Sequence, residues 1–118
     1  INIYSISSMP NLILWFKENN IDYFGSILLN PHYLSITCLP KEAKTMINNM
    51  YKKFIYEHKS ILESHEIEQM IKWLKYMNSV DNSSLLPEFK KEQTRLDLLR
   101  NESFESVFPE FATWYKNI

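Results

Sequence analysis

Glycine is nearly missing from this chain, with Gly25 the single one among 118 residues. A loop that cradles phosphate needs several glycines so that backbone N–H groups can approach the anion, and none can be drawn here. Cysteine is as scarce. Cys38 alone makes neither an internal disulfide nor a thiolate metal site, which fits a reducing cytoplasm better than a secreted framework. No run approaches the ~20 uninterrupted apolar residues of a bilayer span. The N-terminus has no basic stretch leading into an apolar run and a small-residue cleavage site, so no membrane partner is expected. An excess of one charge is also missing: 13 basic against 14 acidic side chains leave a formal net charge of −1, with no long-range field to steer the chain toward nucleic acid. Alanine is confined to Ala43 and Ala112 while Ile, Asn, Lys and Tyr abound, the usage of a very AT-rich genome.

What remains is 45% apolar and 14% aromatic, enough for one hydrophobic core. A chain of this length buries roughly two-thirds of its unfolded surface, so residues 1–118 are expected to form a single domain. The chain opens at Ile1 without an initiator methionine, and the expectation is the C-terminal fragment of a longer protein.

Two patterns compete along the chain. Ile1 to Ile6 and Tyr33 to Cys38 are rich in β-branched and aromatic residues, and Asp22 to Leu29 reads as extended, interrupted by Asn30-Pro31. Against these, Ala43, Met46, Ile47, Met50, Tyr51, Phe54 and Ile55 recur at steps of three and four, predicting an amphipathic helix over Pro40 to Glu57. A second stripe through Ile67, Met70, Ile71, Leu74 and Met77, with Trp73 beside it, predicts a helix over Ser64 to Asn78. Further helices are expected over Pro10 to Asn19 and Glu88 to Arg100, with a terminal helical piece from Pro109. Ser79 to Ser84, polar and without periodicity, is the expected mobile link. The resulting fold class is α+β, predominantly helical, with four or five helices and two or three short strands. By length, Ile1 to Ile6, Pro10 to Asn19 and Ile27 to Asn30 suit a βαβ unit.

Chemistry is sparse. His32, Cys38, His58 and His65 are the soft metal ligands, at separations that match no zinc template. No serine or cysteine stands in a nucleophile signature. The carboxylates of Glu66-Ile67-Glu68 and Glu102-Glu105 read as solvated surface near helix starts. Basic residues interleave with aromatics in Tyr51-Lys52-Lys53-Phe54-Ile55-Tyr56 and in Lys72-Trp73-Leu74-Lys75-Tyr76, a pattern that can stack bases. The rings fall on the helical stripes, however, so a core role is expected for them and nucleic acid is not an expected partner.

Two stretches carry a resemblance. Asn30-Pro31-His32-Tyr33-Leu34-Ser35-Ile36, then Leu39-Pro40-Lys41-Glu42 and the amphipathic helix, is similar to the late part of phage and bacterial radical S-adenosylmethionine proteins that end in a shortened twitch region. Leu96-Asp97-Leu98-Leu99-Arg100-Asn101, then Phe104 and Phe108-Pro109-Glu110-Phe111, resembles the closing segment of the same family. The resemblance implies that the chain closes the side of a partial barrel and offers a helical surface to a peptide or protein partner. It also implies that Asn30, Pro31 and His32 sit at a strand's C-terminal end, where barrels place ligand contacts. The three cysteines that hold the family's iron–sulfur cluster have no counterpart here, and Cys38 cannot replace them. The cluster and S-adenosylmethionine would belong to a longer protein, its missing N-terminal barrel being this chain's partner, and no catalysis is expected of this chain by itself. The alternative expectation is a free-standing helical interaction module that dimerises with a second copy through Trp73, Tyr76, Trp114 and Tyr115.

Overall fold

The computed structural model describes all residues from Ile1 to Ile118 and contains helices only. The helices are α1 (Met9–Glu18), α2 (Lys41–His58), α3 (Ser64–Met77), α4 (Leu86–Arg100), α5 (Phe104–Val107) and α6 (Ala112–Lys116). Short 3₁₀ turns at His32–Leu34, Ile36–Cys38, Ser83–Leu85 and Pro109–Phe111 join them. One core of 21 buried apolar residues draws on every part of the chain.

The expected α+β class is therefore corrected to all-α, and turn chemistry explains why. At the N-terminus the Asn2 side-chain oxygen accepts from the N–H groups of Tyr4 and Ser5, at 3.0 and 3.1 Å, and the Ser5 hydroxyl accepts from the Asn2 N–H at 3.0 Å. These bonds curl residues 2–6 into a helical turn. Ile3 and Ile6 then enter the core together, at a spacing of three where a strand would bury every second residue. In the third β-like stretch Ser35 Oγ accepts from Thr37 N–H, and Ser35 through Leu39 are all buried in succession. Residues 22–29 do run extended, but without a neighbouring strand; no β-ladder and no βαβ unit form.

The helices lie within one or two residues of their expected bounds. α2 buries Ala43, Ile47, Tyr51 and Phe54, and its Tyr51 hydroxyl donates to the Ile6 carbonyl at 2.7 Å, tying the N-terminal turn to the longest helix. α3 buries Glu66, Met70, Trp73 and Met77, so Trp73 lies within the buried stripe and Ile71 outside it. Asn48 and Asn78 exchange side-chain amide bonds between α2 and α3 at 2.9 and 3.3 Å. The polar link at 79–84 is tied down: Asn82 donates from its backbone to Thr37 O and from its side chain to Thr37 Oγ1. α4 ends at Asn101, which takes the left-handed conformation at φ 53°.

A cluster of rings closes the C-terminal end, where Phe89, Phe104, Phe108, Phe111, Trp114 and Tyr115 pack with Tyr4 at centroid separations of 4.5–6.5 Å. Asp97 organises the polar side of that cluster. Its carboxylate accepts from Phe104 N–H at the start of α5 and from the Gln93 amide, whose oxygen accepts the Tyr4 hydroxyl.

The extended segment is held against α3 and explains the lone glycine. Tyr23 donates its hydroxyl to Glu66, and Gly25 O accepts from Gln69 Nε2 at 3.1 Å. A Cβ on Gly25 would lie 2.5 Å from the Trp73 ring, closer than real side chains approach. Gly25→Ala should therefore destabilise the fold by about 1–3 kcal/mol, the usual cost of overpacking. Equilibrium denaturant unfolding checks this, with a lower midpoint at an unchanged slope as the expected result.

Candidate functional site

The side chains with most chemistry gather where α1, the extended segment and the start of α3 meet. A hollow of about 530 Å³ lies there, lined by Phe16, Lys17, Asn20, Ile21, Asp22, Tyr23, Glu63, His65 and Glu66. At its base is the Glu66 carboxylate, 3% exposed. Oε1 accepts from Lys17 Nζ at 2.7 Å and from the Glu63 N–H at 2.9 Å, while Oε2 accepts from the Tyr23 hydroxyl at 2.7 Å. Burial alone would push the Glu66 carboxyl up, but these donors outweigh it and hold the group below the ordinary carboxylate range. Burial and the Glu66 carboxylate together push the Tyr23 hydroxyl up.

Local sequence sets this knot. Glu63 caps α3 and Glu66, three residues on, reaches back to the Glu63 N–H, completing a capping box. Glu66 also lies on the stripe that continues through Met70, Trp73 and Met77, so its carboxylate is buried by the same periodicity that buries the apolar residues. The expectation of a solvated Glu66 is thus corrected. A carboxylate in register with an apolar stripe was the signal in the sequence; Lys17 and Tyr23, distant along the chain, gave none.

A groove of about 380 Å³ adjoins the hollow, bordered by Met9, Leu12 and Phe16 of α1 and by Tyr23, Phe24 and Gly25 of the extended segment. The Phe16 and Tyr23 rings stack at 5.3 Å between hollow and groove, and Trp15 meets Phe16 edge-on at 5.7 Å. Phe24 points outward and is 88% exposed; Trp15 is 51% exposed. The backbone N–H groups of residues 22–27 have no acceptor within the chain.

The residues singled out from sequence fall elsewhere. Asn30 and Pro31 lie exposed in the turn before the first 3₁₀ segment and His32, also exposed, opens that segment, with no strand end beneath them. Trp73, Trp114 and Tyr115 are interior and Tyr76 is half-buried, so these four offer little surface. Tyr51 and Phe54 are buried as well, which removes most rings of the two basic–aromatic runs from any stacking platform. Cys38 is buried and donates its thiol to the His32 carbonyl. No three His, Cys, Asp or Glu side chains converge as a metal site would require. No helix is long and apolar enough to cross a membrane.

Comparison with protein-family models, with curated proteins and with solved structures gives no match. The geometry of the site is what speaks to function.

The arrangement fastens three chain segments together and leaves an apolar rim around the fastening. Every donor around Glu66 is committed to holding it, as in a structural ion pair. Lys17→Met strands a buried carboxylate and should cost about 1.5–3 kcal/mol at neutral pH. Because the folded-state carboxyl of Glu66 sits below its unfolded value, its contribution is full above the ordinary carboxylate range and is lost as pH falls through the lowered value. Wild-type stability should accordingly decline on acidification below about pH 4.5, the ordinary value, and Glu66→Gln should flatten that decline. Unfolding free energies measured from pH 7 to pH 3 test both variants.

Proposed function

We propose that this chain is a helical protein-interaction module, whose contact surface is the face made by α1 and the extended segment. The observation that carries this is the concentration of exposed apolar side chains there: Leu12 and Phe24 line the groove, Ile21 lines the hollow, and Trp15 stands out against Phe16, whose ring lines both. Single exposed apolar residues are ordinary on a soluble protein; a contiguous group with two aromatics marks an interaction site. Aromatic side chains on a rigid support give large contact area for little loss of conformational freedom. Here the support is fixed by the Glu66 knot and by Gly25 against Trp73.

A role as the barrel-closing tail of a larger cluster-dependent enzyme draws on a strand–helix–strand unit, and residues 1–30 form a turn, a helix and a lone extended segment. The interaction reading needs no such unit. Replacing Phe24 with a photo-crosslinking phenylalanine analogue, in the cells that make the protein, tests it. A covalent adduct to protein is expected from position 24 and not from the same analogue at Lys52 on the solvent face of α2. No adduct at position 24, or equal adducts at both positions, contradicts it.

A further inference from the structure

Resting on that reading and naming its partner, we infer that the α1 face binds a second copy of this chain across a two-fold axis. The area on offer is the first reason. Phe24 and Trp15, 88% and 51% exposed, with Leu12 and Ile21 at 39% and 43%, present on the order of 400 Å² of apolar surface, taking about 200 Å² for a whole aromatic side chain and somewhat less for an aliphatic one. A standard interface takes about 800 Å² from each partner, and in homodimers about 65% of it is apolar, or roughly 500 Å². The four side chains supply most of this, and the half-buried rings of Phe16 and Tyr23 at the groove wall add to it.

The second reason is the kind of surface. Leu12, Trp15, Phe16 and Phe24 carry no charge and Asp22 is the one charged side chain that lines the groove, so identical copies meet there with little repulsion and a highly charged partner finds little to pair with. Charge-poor, apolar contact is the character of homodimer interfaces, and two-fold pairing is their commonest form.

The third reason is the backbone. The N–H groups of residues 22–27 lack acceptors in the chain. The Gly25 and Ser26 carbonyls already accept from Gln69 and from the Ile1 nitrogen, so the free stretch of edge is Asp22 to Phe24, and an extended edge carries donors and acceptors in alternation. An identical segment running antiparallel, as a two-fold axis demands, brings the matching set. The other exposed apolar residues are spread out: Leu29, Tyr56, Ile61, Ile71 and Val80 fall at the end of the extended segment, on α2, on α3 and in the links around α3, and Leu98, Leu99 and Val107 at the end of α4 and on α5. The hollows that Val80 and Leu98 line are mostly polar.

Sedimentation equilibrium of the purified chain from low micromolar to several hundred micromolar tests the inference. The weight-average mass should rise from 14.2 kDa toward twice that value. Phe24→Asp and Trp15→Glu should each weaken association at least tenfold while keeping the helical circular dichroism and cooperative unfolding of the wild type. Leu99→Asp, at an exposed apolar position away from this face, should associate as the wild type does. Phe24→Ser, which adds no charge, should weaken association in the same direction. A mass fixed at 14.2 kDa across the range, or an association indifferent to Phe24→Asp, overturns the inference. The crosslink at position 24 separates the two levels: an adduct of twice the chain mass supports the second copy. An adduct to an unlike protein, with the purified chain monomeric, overturns the second copy and leaves the interaction module standing. No adduct at all removes both.

Discussion

A buried carboxylate on α3 decides where two other segments can lie. Glu66 binds Lys17 from α1 and Tyr23 from the extended segment, and it caps its own helix through the Glu63 N–H. A buried anion must collect donors or be expelled, and the three donors come from α1, the extended segment and the turn before α3. Taking any one donor away leaves the charge under-solvated, so the knot holds as a unit. One turn and two turns further along α3, Gln69 and Trp73 hold the Gly25 backbone by a hydrogen bond and by shape. The segment from Ile21 to Leu29 is therefore pinned along a helix, with no sheet to support it.

That pinning produces the surface. Tyr23, Gly25 and Ile27 turn toward the protein and are half-buried, while Asp22, Phe24 and Ser26 alternate outward. Phe24 reaches solvent because its neighbours on both sides are engaged inward, and α1 is oriented by Lys17 so that Leu12 comes up beside it in the groove, with Trp15 against Phe16 at the groove wall. An exposed phenylalanine on a loose loop would contribute little to binding, since ordering the loop would consume the gain. On a segment already fixed, most of that ordering has been done by folding.

The sequence was legible where one periodicity ran unopposed. α2 and α3 declared themselves through apolar steps of three and four, and Asn101 through its readiness for left-handed backbone at the end of α4. It misled where side-chain hydrogen bonds overrode β-propensity. Ile1 to Ile6 has the composition of a strand, and Ile1 does bond to the extended segment at Ser26 and Leu28, but Asn2 and Ser5 bend the chain away before a ladder can form. The candidate site was legible only in part. Trp73, Trp114 and Tyr115 are as aromatic as Trp15 and Phe24, and composition cannot say which rings face in; that depends on how the C-terminal turns fold over Phe89 and Phe104. Glu66 looked like one more surface carboxylate because Lys17 and Tyr23, its partners, lie more than forty positions away.

Proton NMR of Gly25 tests the central claim most directly, since the chain has one glycine and its resonance is unambiguous. With the segment laid on α3, the Gly25 α-protons lie against the Trp73 indole and near the Ile1 side chain. They should be displaced by the ring current and show cross-peaks to both residues. Free-chain shifts for Gly25, with no cross-peak to Trp73, would contradict the account, because the support for Phe24 and for the whole α1 face would then be gone.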